Sequence, residues 1–125
     1  MKRCFAISLP AFLCATLALA AASLSHWDHV PAKDHAHTNP YADKPAAVTA
    51  GERLYLDHCA QCHKADARGD GGKHPSLRSE RLRTVTDGDL EWFLRQGDLA
   101  RGMPSWSSLP QAQRWQLVTY LRSLQ

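Results

Sequence analysis

The sequence predicts an all-α fold of three main helices joined by long loops, on three observations. Apolar residues recur at helical spacing in three separate segments, near residues 46–58, 86–97 and 108–124. Residues suited to starting and stopping helices stand at the ends of the second and third. Beyond the first twenty-five residues, no run alternates apolar and polar residues as a half-buried strand does.

In chain order, Lys2 and Arg3 precede an almost unbroken apolar run over 5–22, with small residues at Ala18, Ala20 and Ala22. This is the make-up of a secretory signal, and the run also nears the roughly 17–25 residues an anchor helix needs. Residues 1–25 are therefore expected to be a signal peptide or N-terminal anchor. Either one places the rest of the chain outside the cytoplasm, in the periplasm or facing it from the membrane. Cys14 lies inside the apolar run beside Leu13, which is not the small neighbour a lipidation site wants.

Residues 26–45 mix proline, aspartate and lysine with His26, His29, His35 and His37 and show no apolar periodicity, so a linker is predicted. Residues 46–125 then form the single domain. Its first helix places Val48, Gly51, Leu54, Tyr55 and His58 on one arc. A glycine on a helix's buried face costs about 1 kcal/mol relative to alanine, so Gly51 marks the close approach of another backbone or ring. The second helix is announced by Thr86 as cap, with Asp87 and Asp89 at the positive end of its dipole. Leu90, Phe93 and Leu94 form its apolar stripe and Gly97 stops it. For the third, Ser108 and Gln111 form a capping box with Pro110 in the first turn, and Leu117, Val118, Tyr120, Leu121 and Leu124 share a face.

Fifteen Lys and Arg against twelve Asp and Glu give a formal charge of +3, far from the basic stripe of a dedicated nucleic-acid binder. After residue 14 only Cys59 and Cys62 remain, which excludes a framework of several disulfides. The loops at 64–85 and 98–107 are long for so small a domain. Four Trp, three Tyr and three Phe make little core for them to pack on, so a large apolar guest is expected.

The guest is indicated by "CAQCH", residues 59–63. Thiols at i and i+3 at a helix end project to one side, where they can reach the two vinyl groups on one porphyrin edge. The adjoining His63 then points under the ring as the first axial iron ligand. A dithiol redox centre uses the same spacing but expects a βαβ context, and a structural zinc site expects a second pair of ligands; neither is present. For the sixth position on iron the candidate is Met103, the only methionine besides Met1, held in a loop by Gly102 and Pro104. His74 or a linker histidine is the alternative. Sulfur raises the reduction potential relative to a second imidazole, and an iron with both axial positions filled suits electron transfer better than oxygen or peroxide chemistry.

Three motifs in order, "GERLYLDHCAQCH", "RGDGGKHPSL" and "RGMPSWSSLPQAQRWQLVTYLRSL", make residues 46–125 resemble a small monohaem class I cytochrome c. The resemblance implies three main helices and long loops wrapped around one covalently bound haem c, with the first and last helices crossing near Gly51 and Tyr120. It also implies that Pro75 offers its carbonyl to the far nitrogen of His63, fixing the imidazole's orientation. Lys64 stands where many relatives carry a small residue. Within the family, the nearest likeness is to small cytochromes that accompany quinoprotein dehydrogenases or terminal oxidases.

The function expected is single-electron transfer between larger redox partners by a monomeric carrier that is not itself an enzyme. It would touch donor and acceptor transiently, bind no nucleic acid, and meet a membrane only through an uncleaved N-terminus. Two alternatives are the cytochrome subunit of a dehydrogenase or oxidase complex and a copper-binding exported protein that uses His26, His29, His35 and His37. Trp92, Trp106 and Trp115 are candidates to line the haem, Trp106 foremost for its place three residues beyond Met103. Arg78, Arg81 and Arg83 are candidates to pair with propionates or to form a docking face, and equally to be a solvated charged loop.

Overall fold

The computed structural model describes residues 26–125, so the expected signal or anchor at 1–25 lies outside the described residues. Six α-helices follow in order: α1 (Ala32–His35), α2 (Pro45–His58), α3 (Ala60–His63), α4 (Glu80–Thr84), α5 (Asp87–Gln96) and α6 (Gln111–Ser123). Helical 3₁₀ turns stand at His26–His29 and Leu99–Arg101. The fold is all-α; extended pairing among the described residues amounts to one isolated antiparallel bridge between Asp98 and Met103. No helix among the described residues is long and apolar enough to cross a membrane.

Pro45 opens α2 at a first-turn position, where its missing N–H costs nothing. Ala47, Gly51 and Tyr55 are the buried residues of this helix, one turn apart along a single stripe. Val48, Leu54 and His58 flank it half-buried. Gly51 is the contact point with α6: a Cβ there would stand 2.1 Å from the Gln116 carbonyl oxygen and 2.7 Å from Tyr120 Cβ. Only glycine allows two helices this close. Beside the crossing, the Tyr55 and Tyr120 rings tilt together at 5.3 Å, over the fully buried Leu117 and Val118.

The signals read for α5 all appear. The Asp89 N–H donates to Thr86 Oγ1 and the Thr86 N–H to Asp89 Oδ2, a reciprocal cap. Gly97, at φ +70°, ends the helix.

Three expectations differ. The capping box at Ser108 and Gln111 does not form: a turn closed by Leu109 N–H on Trp106 O takes up Ser108, and α6 starts at Gln111, after an extended Pro110. The loop 64–85 contains α4, capped by Ser79, which accepts from the Leu82 N–H, and the loop 98–107 contains the turn Leu99–Arg101. Finally, segment 26–45, read from its composition as a linker, packs against α5 and α6. Asp34 is 4% exposed and pairs with Arg95 at 2.6 Å, His35 meets Asp89 at 2.8 Å, and Asn39 donates to Thr119 at 3.0 Å. Gly88 lets α1 close on α5, since a Cβ there would lie 2.0 Å from the Asp34 carbonyl oxygen. The composition of a linker hid these tertiary partners, each more than fifty residues away in sequence.

Candidate cofactor site

The CAQCH stretch forms where α2 stops and the chain turns at once into α3. The Cys62 and His63 N–H groups both donate to the Cys59 carbonyl, at 3.1 and 2.9 Å, folding the motif into a single turn. Cys59, Cys62 and His63 thereby face one cavity of about 490 Å³, which Met103 and Trp106 also line. Its wall is largely apolar, with Leu90, Phe93, Leu94 and Leu117 behind the cysteine turn. Cys62 is exposed and Cys59 half-buried, so the thiol side of the cavity meets solvent. Burial first, and the neighbouring Cys62 second, push the Cys59 thiol up to about 12.

The glycine-rich loop turns Pro75 toward the imidazole, placing the Pro75 carbonyl oxygen 2.9 Å from His63 Nδ1. A carbonyl only accepts, so Nδ1 carries the proton and Nε2 keeps its lone pair, the state a metal-ligating imidazole requires. The loop is held by Gly69 N–H on His63 O and Leu77 N–H on Ala67 O. Gly69 sits at φ +68° with the His74 carbonyl where its Cβ would be. Asp70 closes the same loop, accepting from the backbone N–H of His74 and Gly72 and from His74 Nδ1 at 2.6 Å. Those donors hold its carboxyl well below the usual carboxylate range. His74 is thus tied to Asp70, its ring 6.5 Å from that of His63.

Met103 enters from the other side of the sequence. It exchanges both backbone hydrogen bonds with Asp98 at 2.9 Å, and Gly102 turns the chain at φ +85°. Trp106 N–H donates to Leu94 O, and Ser105 Oγ donates to Arg95 O at 2.7 Å. Those two carbonyls belong to the last turn of α5, which has no intrahelical donors for them. The methionine loop is therefore the C-terminal cap of α5.

Of the other predicted residues, Trp106 lines the cavity, 5.1 Å from the His58 ring, whereas Trp115 is core and Trp92 lies half-buried away from the lining. Arg81 reaches the cavity, as Lys73 and Arg101 do. Arg78 binds the Asp66 and Leu124 carbonyls instead, and Arg83 pairs with Glu80 at the surface. Among the described residues, no three His, Cys, Asp or Glu side chains gather closely enough to hold a metal ion, so the copper alternative has no preformed cage there.

Sequence reasoning missed Trp27. It lines the cavity and stacks on Phe93 at 4.6 Å, with the Arg81 guanidinium 6.0 Å from its ring. The available signal was a large aromatic standing alone in a polar stretch. Also missed was the Glu91–Arg114 pair at 2.7 Å, both of whose residues are buried.

The arrangement fits a haem: adjacent thiols on one turn, an imidazole fixed in the ligating tautomer, a thioether, and an apolar wall, all on one cavity. Comparison with known proteins agrees. The profile of the family described as cytochrome c oxidase, cbb3-type, subunit III matches residues 46–121. Cytochrome c550 of Pseudomonas aeruginosa is 33% identical over 132 aligned residues, which cover 88% of each chain. The cbb3-type cytochrome c oxidase subunit CcoP of Rubrivivax gelatinosus is 58% identical over 31 residues, 25% of this chain and 10% of that protein.

Proposed function

Since the chain belongs to this cytochrome c family and carries a covalently bound haem c, we propose that it is a His/Met-ligated single-electron carrier working outside the cytoplasm between larger redox partners. When bound, the haem supplies an iron that changes by one electron between ferric and ferrous states. The chain supplies the rest. Cys59 and Cys62 would hold the group through thioethers, and His63 Nε2 and Met103 sulfur would be the residues that hold its iron. Pro75 keeps the His63 proton on Nδ1, and the leucine wall with Phe93 excludes water, so little solvent reorganises when the charge changes.

The observation that carries this reading is that Cys59, Cys62, His63 and Met103, from elements forty residues apart, line one cavity. Met103 is favoured over His74 because His74 is engaged by Asp70 and directly precedes Pro75, the residue at the far nitrogen of His63. With His63 and Met103 both holding the iron, the group would be suited to electron transfer rather than catalysis. Lys73, Arg81 and Arg101 at the cavity favour brief docking with acidic surfaces, of the kind that buries less than about 1,200 Å².

A second reading, as the cytochrome subunit of an oxidase complex, draws on the family's description and on the local likeness to CcoP. Absorption spectra of the oxidised and reduced protein, with Met103→Ala beside it, test the ligation. The red thioether-to-iron band is expected in the native ferric protein and absent from the variant. Its absence from the native protein would move the sixth ligand to histidine. Co-purification with a large oxidase in fixed stoichiometry would favour the subunit reading over the free carrier.

A further inference from the structure

Segment 26–45 precedes the cytochrome c domain, yet it touches the element that carries the methionine loop. Asp34, 4% exposed, accepts from Arg95 at 2.6 Å. Arg95 Nε also faces Glu91 at 3.8 Å, and Glu91, 1% exposed, accepts from Arg114 Nε at 2.7 Å. Arg114 Nη1 donates in turn to the Leu109 carbonyl. Four charges alternate in sign along this chain, with Asp34, Glu91 and Arg114 buried and Arg95 half-buried between them.

The chain's two arginines stand at the two ends of the methionine loop. At the near end, the Arg95 backbone carbonyl accepts from Ser105 Oγ, two residues beyond Met103. At the far end, Arg114 grips Leu109, where the loop enters α6. A charged pair in a water-poor setting holds its geometry tightly, because losing one member strands the other.

We propose that the strap residue Asp34, acting through Arg95, Glu91 and Arg114, positions Met103. The strap locks the C-terminal turn of α5, that turn caps the methionine loop, and the loop's hold decides how easily the sulfur leaves the iron. Asp34 and Glu91 are positioning residues, touching neither cofactor nor partner. The inference rests on Met103 as the sixth ligand.

The experiment uses the full-length holoprotein and imidazole as a competing ligand. The native red band is recorded first and must vanish in Met103→Ala; if it is missing from the native protein, the ligation reading has failed, and this proposal with it. With the band present, Asp34→Asn, Glu91→Gln and Ser105→Ala are titrated with imidazole. Each is expected to lose the band at about tenfold lower imidazole than the native protein, while holding its full haem content. Asp34→Asn combined with Ser105→Ala is expected to be non-additive, because both act on one turn of α5. Native imidazole affinity in the single variants, or simple additivity in the double one, would overturn the proposal while leaving Met103 as ligand intact. Should Asp34→Asn or Glu91→Gln fail to fold, the exposed Ser105→Ala and the charge-preserving Asp34→Glu decide: the first must weaken the hold on sulfur and the second must weaken it less than removal of Ser105 does.

Discussion

At the residue scale, two positions beside the cysteine turn show local cost and local gain. Lys64 directly follows His63 at φ +68° and ψ 157°, a region where only glycine is free of strain. It is held there by Tyr55 Oη, which donates to its carbonyl at 2.6 Å, and by its own N–H, which donates to the Ala60 carbonyl at 2.8 Å. Burial pushes the Tyr55 hydroxyl well above the usual phenol range, so it remains a donor at any physiological pH. Lys64→Gly is expected to raise stability by about 1 kcal/mol, measured by denaturant unfolding of the holoprotein. Asp70 works in the opposite sense. Its folded carboxyl titrates below the unfolded value of roughly 4, so its contribution is complete above that pH and fades as acid takes the solution down through the folded value. Asp70→Asn is therefore expected to be less stable than the native protein at pH 6, with a gap that starts to narrow only below about pH 4 and closes as pH falls through the folded value; a gap constant with pH would contradict this. The two thiols and the imidazole stand out in the sequence by their spacing, and Met103 by its place in a loop between Gly102 and Pro104. The Asp70 and Lys64 roles do not, since both depend on backbone donors and dihedral angles that only the folded loop defines.

At the element scale, the crossing of α2 and α6 is the frame on which the cysteine turn hangs. Gly51→Ala would set a methyl group 2.1 Å from the Gln116 carbonyl oxygen and 2.7 Å from Tyr120 Cβ, so the helices must part. A cost of about 2–4 kcal/mol is expected, visible as a lowered midpoint of thermal unfolding with haem attached. The need for glycine at this site could be read from its place on an apolar arc. The start of α6 could not: Ser108, Pro110 and Gln111 suit a capping box, but the turn from Trp106 to Leu109 claims Ser108 first, and Arg114 holds the Leu109 carbonyl instead. Local signals compete, and burial of Arg114 against Glu91 settles this one.

At the scale of the whole molecule, the N-terminal strap changes what the domain is. Trp27 stacks on Phe93 and completes the cavity wall from outside the helical frame. Trp27→Ala is expected to admit water beside the haem and lower the reduction potential by roughly a few tens of millivolts, because water favours the more charged ferric state; redox titration measures it. An unchanged potential would make Trp27 mere surface packing. The sequence by itself determined the cofactor, its attachment turn, the helical class and the order of the three main helices, because these depend on neighbours within one or two turns. Only the tertiary structure decided that the polar segment before the domain folds back on it, that Trp27 joins Trp106 at the cavity, and how charged side chains link Asp34 to α5 and Arg114. Those contacts join residues tens of positions apart, and a linear pattern of Pro, Asp, Lys and His carries no record of the partners that satisfy it.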